Sequence, residues 1–476
     1  MEATSHAFKD NIKVALKDAT LQRALGNMKS GFIGKRLAVI NKLPEFERLR
    51  EAARDIKNHT LEHLDYYLER FETKVIANGG HVHWARTPEE ARQIILDLCR
   101  TVDAKTVTKG KSMIAEEIAL NDFLEEKGLV PIETDLGEYI IQLRHEPPSH
   151  IIAPAIHLIK EQIEDTFRTV HTELAADRKL PDARALTDEA RSMLRQKFLS
   201  ADVGITGANF LIAETGSTII VTNEGNGDLT QTLPKMHIVL ASLEKVVPTL
   251  EDVSTILRLL ARSATGQEFS SYTTVSTGPR RAEDLDGPGQ YHVVLLDNGR
   301  SAMLGTEFQD MLRCIRCAAC MNHCPVYASV GGHAYGWVYP GPMGSVLTPS
   351  LIGVEEAGNL PNASTFCGKC ESVCPMKIPL PKMMRHWRER EWDKKLNPPR
   401  YRAGMKLWAF FAKRPALYRF ATGLATRVLG TLGRGRGRFS SLPLAGGWTK
   451  GRDFPAPEGR SFHSLWAERQ QQRKAA

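Results

Sequence analysis

Residues Ser364–Pro375 read STFCGKCESVCP, and the earlier stretch Cys314–Pro325 reads CIRCAACMNHCP. The earlier stretch fits the pattern C-x2-C-x2-C-x3-C-P, whereas the later one has serine where the first cysteine belongs. Three thiolates at this spacing present three corners of a tetrahedron to a [4Fe-4S] cube, and the cysteine before proline belongs to a second cube. The two stretches therefore predict a small domain that holds two iron-sulfur clusters.

The ligand sets are predicted from the crossed arrangement of two-cluster ferredoxins, in which the last cysteine of each run serves the other cluster. Cluster 1, a [4Fe-4S] cube, takes four thiolates: Cys314, Cys317, Cys320 and Cys374. Cluster 2, a [4Fe-4S] or [3Fe-4S] cluster, takes three thiolates: Cys324, Cys367 and Cys370. No cofactor besides the clusters and no catalytic residue is assigned.

The fourth position of cluster 2 has three alternatives: the Ser364 oxygen as ligand, a cluster with three irons, or a non-cysteine or exogenous ligand. We favour a Ser364 that only caps a helix over one that binds iron. A pair of structural zinc sites would also use Cys-x2-Cys steps. Three consecutive steps and two Cys-Pro endings favour iron-sulfur clusters over zinc.

Cysteine usage supports a metal-binding region. Seven of the eight cysteines lie between Cys314 and Cys374, and only Cys99, an expected core residue, lies outside. A disulfide scaffold would spread its cysteines along the chain and would need an oxidising compartment. The first thirty residues carry no apolar core with a cleavage site, and no stretch has eighteen uninterrupted apolar residues. We therefore expect a cytoplasmic protein.

Patterning divides the 476 residues into four parts. Residues 1–60 show apolar positions at helical spacing and form an N-terminal helical segment. Residues 61–300 alternate strands and helices, which predicts an α/β domain with a mostly parallel sheet. Within it, TPEEARQIILDLCR is predicted to be a helix that is capped by Thr87 and has Pro88 in its first turn, and SMIAEEIALNDFLEEKG is predicted to be another helix. Residues 301–392 are the mostly helical, ferredoxin-type domain, whose two cysteine runs are joined by a Gly- and Pro-rich connector over 331–353. Residues 393–476 form a basic helical tail.

The tail holds most of the excess positive charge. Residues 381–476 contain 22 Lys and Arg against 6 Asp and Glu, so the net charge of +8 hides an acidic body. Aromatic residues alternate with these cations, which is typical of a helix that docks on a partner or a membrane surface. We expect docking to a redox partner first and membrane-surface contact second, and no nucleic acid.

Two smaller patterns leave alternatives open. Lys109 and Lys111 precede a predicted helix and could hold an anion, although solvated lysines are the simpler interpretation. Glu214 begins the sequence ETG, where a carboxylate could act in acid-base chemistry, although a turn between strands is favoured. Neither pattern identifies a partner residue.

The quoted runs, together with the connector sequence GWVYPGPMGSVLTP, resemble the lactate-utilisation iron-sulfur protein B (LutB-type) family. The segment GITGANFLIAETGSTIIVTNEGN resembles the LUD domain of the same family, which is similar to the CoA-transferase-like sugar-isomerase fold. The resemblance covers about residues 60–400. In that family the second run also has three cysteines, so the resemblance implies that the missing cysteine is a family trait.

The resemblance implies an iron-sulfur electron-transfer subunit of a system that oxidises L-lactate to pyruvate. It also implies companion subunits, namely a cysteine-rich-domain protein and a second LUD-domain protein. One alternative is that the chain itself is a 2-hydroxy-acid dehydrogenase for lactate or glycolate, with substrate at the LUD domain or at the open iron of cluster 2. Another is a cluster-based redox sensor. A non-catalytic component of a lactate dehydrogenase complex is favoured over an enzyme in its own right.

Overall fold

The computed structural model describes residues 3–110, 112–443, 445–449 and 451–475. They divide into two compact units, Met1–Glu391 and Trp392–Ala476. The α-helices of the first unit are α1 Phe8–Ala15, α2 Ala19–Met28, α3 Gly34–Asn41, α4 Phe46–Glu62, α5 Leu64–Ala77, α6 Pro88–Thr101, α7 Met113–Glu117, α8 Leu120–Glu126, α9 Leu136–Leu143, α10 Lys160–Val170, α11 Ala183–Leu199, α12 Asn226–Thr232, α13 Leu250–Ala264, α14 Ala319–Asn322, α15 Tyr327–Val330, α16 Gly341–Ile352, α17 Val354–Ala357, α18 Lys369–Val373 and α19 Leu380–Asp393, whose last two residues fall in the second unit.

The strands of the first unit form two sheets. They are β1 His81–Ala85, β2 Thr106–Gly110, β3 Val130–Glu133, β4 Val203–Gly207, β5 Phe210–Ile212, β6 Ser217–Thr222, β7 Met236–Ser242, β8 Val246–Val247, β9 Tyr272–Ser276 and β10 Gln290–Leu296. The larger sheet has the order β1-β10-β7-β4-β2-β3, and all of its neighbouring pairs are parallel. The smaller, mixed sheet has the order β8-β5-β6-β9. The prediction of a parallel-sheet α/β domain is confirmed.

Both faces of the parallel sheet are covered, as parallel sheets require. On one face α6, α7 and α8 pack against the strands around Ile95, Ile205 and Ile238. On the other, α5 packs through Phe71 and Val75. α6 begins as predicted, because the Thr87 side chain accepts a hydrogen bond from the Glu90 backbone N–H at 3.3 Å. The carboxyl ends of β2, β4, β7 and β10 therefore meet at one edge.

The structure differs from the sequence analysis at two places: one predicted helix is broken in two, and the connector contains a helix that was not predicted. The helix expected over SMIAEEIALNDFLEEKG is broken into α7 and α8 at Ala119, whose φ of 50° cannot continue a right-handed helix. The Gly- and Pro-rich connector contains the fully helical α16, which is apolar on all sides and almost entirely buried. Within it, a Cβ on Gly344 would lie 1.5 Å from the Tyr339 carbonyl oxygen, so the helix packs at a distance that only glycine allows.

The cysteine-rich region shares one hydrophobic core with the N-terminal helices and the small sheet. Phe8 and Leu25 from the N-terminal helices, Ile256 from α13 and Tyr327 and Met383 from the cysteine-rich region are all buried in it. The N-terminal segment thus packs on the chain that follows, as its helical pattern predicts.

The second unit is helical, with α20 Pro399–Ala412, α21 Pro415–Gly433, α22 Gly446–Thr449 and α23 Phe462–Ala475, and the short antiparallel strands β11 Arg438–Phe439 and β12 Phe454–Pro455. Its aromatic side chains lie beside cations, as where the Arg414 guanidinium is 4.0 Å from the Phe410 ring centroid. Trp408 and Phe420 are largely exposed. Among the described residues, no helix is both long and apolar enough to cross a membrane.

Candidate metal centre

The two cysteine runs form loops with the same backbone conformation. In the first loop, Cys314–Cys320, the residues Arg316 and Ala318 have φ angles of 58° and 61°. In the second loop, Ser364–Cys370, Phe366 and Gly368 have φ angles of 55° and 76°. Left-handed residues at the same two positions of both loops wrap the chain into the same shape before α14 and α18. Ser364 therefore occupies the place in the second loop that Cys314 occupies in the first.

Four cysteines line one small, mostly apolar cavity. They are Cys314, Cys317, Cys320 and Cys374. Burial, followed by the nearby Cys374 sulfur, raises the pKa of Cys317 to about 12. Burial also raises the pKa of Cys374 to about 11. Thiolates crowded in an apolar cavity are unfavourable without a cation, so this set of donors fits a metal centre.

The remaining three cysteines of the runs lie next to each other. Burial, followed by the Cys324 sulfur and later by Cys367, raises the pKa of Cys370 to about 12. Cys367 is exposed, and the Lys369 backbone N–H, as the largest cause, lowers its pKa. Cys320 of the first set is also close enough to Cys370 to have its pKa raised by it. The two sets adjoin, and all eight cysteines are free thiols.

Two oxygen-bearing side chains stand near the set of three. The Ser364 Oγ accepts a hydrogen bond from the Phe366 backbone N–H at 3.1 Å, which closes a turn rather than a helix cap. The Tyr335 hydroxyl is buried and lies within hydrogen-bonding reach of the Cys324 sulfur, where it acts to lower the pKa of that thiol against the larger, opposing effect of burial. The sequence did not point to Tyr335, since it lies in the connector far from either run.

The first loop is attached to the α/β domain by buried charge. Its Arg316 lies over the Tyr339 ring, 5.0 Å from the centroid. The Tyr339 hydroxyl donates to Glu117 Oε2 at 2.6 Å, and Glu117 also receives two hydrogen bonds from Arg300, at 2.6 and 2.9 Å. Glu244 lies 3.2 Å from Arg300 and 3.6 Å from Arg316. Burial is the largest single influence on Glu244 and raises its pKa. The positive charges of Arg300 and Arg316 together outweigh burial and lower the pKa to about 2.

The second loop is attached to the N-terminal helices by backbone carbonyls. Arg36 donates to the Val373 carbonyl at 2.9 Å, and Arg50 donates to the Cys374 carbonyl at 2.6 and 3.1 Å. Arg50 also pairs with Glu47, whose side chain is 59% exposed. The N-terminal segment therefore helps to position Cys374, the cysteine of the second run that lies in the first set.

The other sequence candidates have structural roles. Lys109 is buried and lies 2.5 Å from Glu116 and 2.6 Å from Glu133, so at Lys109 the favoured interpretation as a solvated lysine is wrong, and its matched charge contradicts the anion-binding alternative as well. Lys111 lies outside the described residues. Glu214 lies in the turn between β5 and β6, where its Oε2 accepts from the Leu250 backbone N–H at 3.3 Å. Cys99 is buried in α6, as expected for a core residue.

A cavity lies where the carboxyl ends of β2, β4 and β7 approach the first loop. We call it the strand-end cavity, and its lining includes Ser112, Asn209, Ser242, Lys245, Leu260, Ala261, Arg316, Cys317 and Tyr339. Burial, followed by the charge of Arg316, lowers the pKa of Lys245 to about 8. In open α/β sheets, ligands bind outside the carboxyl ends of the strands. No sequence motif predicted this cavity, because the residues that line it come from segments far apart in the chain.

Comparison with known proteins covers the whole chain. Three family models match: LUD domain over residues 68–296, 4Fe-4S dicluster domain over 310–378, and Lactate utilisation protein B, C-terminal, over 390–471. Proteins named lactate utilization protein B match from Bacillus pumilus (42% identity, 99% of both chains), Geobacillus thermodenitrificans (44%, 99% of this chain and 98% of the relative) and Macrococcus caseolyticus (43%, 100% and 99%).

One solved structure also matches, a DUF162 family protein from Deinococcus radiodurans. It has 16% identity and a TM-score of 0.26, and the match covers 49% of this chain and 98% of the other.

Proposed function

Because this chain belongs to the lactate utilization protein B family, we propose that it is the iron-sulfur electron-transfer component of a system that oxidises L-lactate to pyruvate. Oxidation of one lactate to pyruvate releases two electrons and two protons. Iron-sulfur clusters accept electrons one at a time, so two adjoining clusters divide the pair. The observation that carries the proposal is the gathering of seven cysteines into two adjoining sets.

The proposed ligands are the two sets themselves. Cluster 1, a [4Fe-4S] cube, would be held by Cys314, Cys317, Cys320 and Cys374. Cluster 2 would be held by Cys324, Cys367 and Cys370. Soft thiolate donors and an apolar lining favour iron-sulfur clusters over hard cations. The crossed ligation is supported by Cys374, which reaches the first set although it belongs to the second run.

We propose that cluster 2 is a [4Fe-4S] or [3Fe-4S] cluster without a serine ligand. The Ser364 Oγ already accepts the Phe366 backbone N–H, a role that a neutral hydroxyl fills without losing its proton. Iron ligation would require a serine oxygen in place of the thiolate that such clusters prefer. The fourth iron of the cube, where present, would take a ligand from outside the two runs.

Lactate itself would be oxidised on companion subunits, a cysteine-rich-domain protein and a second LUD-domain protein. The second unit of this chain supplies a surface suited to docking them, since its helices carry exposed Trp408 and Phe420 among arginines. Exposed aromatic residues and arginines are enriched in protein interfaces. Contact of the same unit with an anionic membrane surface is the second use of this chemistry.

We further propose the division 1–60, 61–300, 301–392 and 393–476, a CoA-transferase-like sugar-isomerase topology for the LUD domain, and a cytoplasmic location. The change of compact unit after Glu391 supports the last boundary. The free thiols support a reducing compartment, because an oxidising one would favour disulfides.

The test is an anaerobic reduction of the iron-loaded full-length protein by L-lactate, followed by the bleaching of its visible absorbance. We expect bleaching with the companion subunits present and none with this chain alone. Cys317→Ser, which removes a buried donor of the first set, should abolish the bleaching, whereas Cys99→Ser should preserve it. Absence of bleaching with active companions would refute the proposal.

A further inference from the structure

The strand-end cavity joins the α/β domain to the first cysteine loop. β2, β4 and β7 end at it, α13 closes one side through Leu260 and Ala261, and the first loop contributes Arg316 and Cys317. A ligand in this cavity would therefore lie on the LUD sheet and beside a proposed donor of cluster 1. Neither the proposed electron transfer nor the attachment of the loop accounts for the open space.

The charges around the strand-end cavity do not balance. Arg300 and Arg316 share Glu244, and Arg300 is also paired with Glu117. Lys245 has no ion-pair partner among the described residues, although it is largely shielded from water by its surroundings. Among the described residues, cations therefore outnumber carboxylates here, because Lys57 also lies beside Glu244 and Lys245. An uncompensated charge in such surroundings is costly, and an anion would offset it.

The size and lining of the cavity narrow the class of anion. Its volume is about 130 Å³, and a cavity of about 150 Å³ accommodates benzene, a molecule of six heavy atoms. Three-carbon 2-hydroxy and 2-oxo acids also have six heavy atoms. The Ser112 hydroxyl and the Asn209 side-chain amide offer hydrogen-bond donors for an oxygen at the second carbon, and Leu240 and Leu260 offer apolar contact for a methyl group.

We infer that the strand-end cavity binds a short 2-hydroxy or 2-oxo monocarboxylate, with its carboxylate between Lys245 and Arg316. This inference rests on the proposed function only for the choice of lactate and pyruvate as probes. The bound carboxylate adds negative charge beside Cys317, which disfavours reduction of cluster 1 and lowers its potential. The substrate or product of the pathway thereby controls the flow of electrons into this chain.

The competing explanation is that Lys245 only offsets the negative charge of cluster 1. The two explanations differ in a measurable way. If Lys245 serves the cluster alone, then its loss shifts the cluster potential but no acid binds in a way that depends on it. If it serves a ligand, its loss weakens binding of the acid.

The experiment is isothermal titration of the iron-loaded full-length protein under anaerobic conditions, with pyruvate, L-lactate and propionate as separate probes. We expect saturable one-to-one binding of pyruvate or L-lactate, at least tenfold tighter than propionate, which lacks the oxygen at the second carbon. Tighter binding of pyruvate assigns the cavity to the product, and tighter binding of L-lactate assigns it to the substrate.

Two variants and one control locate the binding. Lys245→Met removes the unpaired cation, and Ala261→Leu fills the cavity from α13; each should weaken binding at least tenfold with unchanged iron content. Lys235→Met removes an exposed lysine at the opposite end of β7 and should bind as the wild type does. If the Lys245→Met variant loses iron, acid binding to the Ala261→Leu variant alone tests the inference.

The inference is overturned if neither acid binds to the wild type, or if Ala261→Leu binds both acids as tightly as the wild type. These failures are separate from failure of the proposed function, because lactate-dependent bleaching through the companion subunits does not require binding to the isolated chain.

Discussion

The first and second cysteine loops have the same backbone but different surroundings. The first loop places Arg316 among the buried groups Tyr339, Glu117 and Arg300 of the α/β domain and its junction. In the second loop Cys367 and Phe366 are exposed, and its attachment is to arginines of the N-terminal helices. The same backbone conformation therefore occurs in two environments. The first loop contacts the α/β domain, whereas the second loop is exposed to solvent.

The difference concerns the proposed clusters. A cluster held by the first loop would lie next to the α/β domain, and a cluster held in part by Cys367 would lie near the surface, where a redox partner could approach. The loops also differ in their first residue, which is Cys314 in the first loop and Ser364 in the second loop. The predictions below test whether the surroundings, rather than the motif, set the behaviour of each loop.

The largest effect on folding is expected at the buried attachment of the first loop. Glu117→Gln leaves the buried Arg300 without its main carboxylate, and should lower the free energy of unfolding by about 3–5 kcal/mol. The measurement is urea unfolding of the iron-loaded protein. Glu47→Gln, the matched change at the exposed attachment of the second loop, should cost less than about 1 kcal/mol. Equal losses would remove the distinction between the two attachments.

Acid should weaken the sheet on which the first loop rests. Burial lowers the pKa of His237 to about 3, and burial followed by His83 lowers the pKa of His292 to about 4. Unfolded histidine titrates near about 6.5, so the unfolded chain binds more protons below that pH. Stability should be intact above pH of about 6.5 and fall toward pH 4, by on the order of 1 kcal/mol per pH unit for each histidine.

The check is the pH dependence of thermal unfolding of the metal-free protein, which removes the contribution of the clusters. His237→Gln keeps a polar group near Thr206, whose Oγ1 lies 2.8 Å from His237 Nε2, and should flatten the profile. A variant profile as steep as that of the wild type would show that His237 does not carry the effect.

Exposure to air should damage the two proposed clusters at different rates. Oxidative damage follows access to the sulfur and iron, and Cys367 is exposed whereas Cys317 is 8% exposed. We expect the signal of cluster 2 to decay roughly severalfold faster than that of cluster 1 in electron paramagnetic resonance spectra of dithionite-reduced samples. If the signal of cluster 1 decayed first, cluster 2 would not be the more exposed of the two clusters.

The smallest effect is expected at Ser364. Ser364→Ala loses only the hydrogen bond from the Phe366 backbone N–H and should cost about 0.5–1.5 kcal/mol, with the spectrum of cluster 2 retained. Ser372→Ala, at an exposed position on the same run, is the matched control. Loss of the cluster 2 spectrum in Ser364→Ala alone would make the serine oxygen a ligand.

The sequence predicted the features that depend on local spacing. The alternation of strands and helices gave the parallel sheet, and Thr87 with Pro88 gave the start of α6, because caps and periodicity are local. The connector was described only as Gly- and Pro-rich, since its glycines and prolines give no local signal for the buried helix α16. Its buried groups, Tyr335 and Tyr339, could not be linked to the loops from sequence spacing.

The strand-end cavity illustrates the same limit. Lys245 and Arg316 have seventy residues between them, and no local pattern relates a short helical turn after β7 to the residue directly before Cys317. Burial of Lys109, likewise, depends on Glu116 and Glu133 meeting it from two elements. Long-range charge pairing is set by topology, so a single sequence does not reveal it.

The central claim is the proposed exchange of a cysteine between the two runs, in which Cys374 of the second run serves cluster 1 and Cys324 of the first run serves cluster 2. Its most direct test compares Cys374→Ser with Cys324→Ser by iron content and electron paramagnetic resonance. The account predicts that Cys374→Ser, a change in the second run, removes the signal of cluster 1, and that Cys324→Ser, a change in the first run, removes the signal of cluster 2. Loss of each cluster with its own run would contradict crossed ligation.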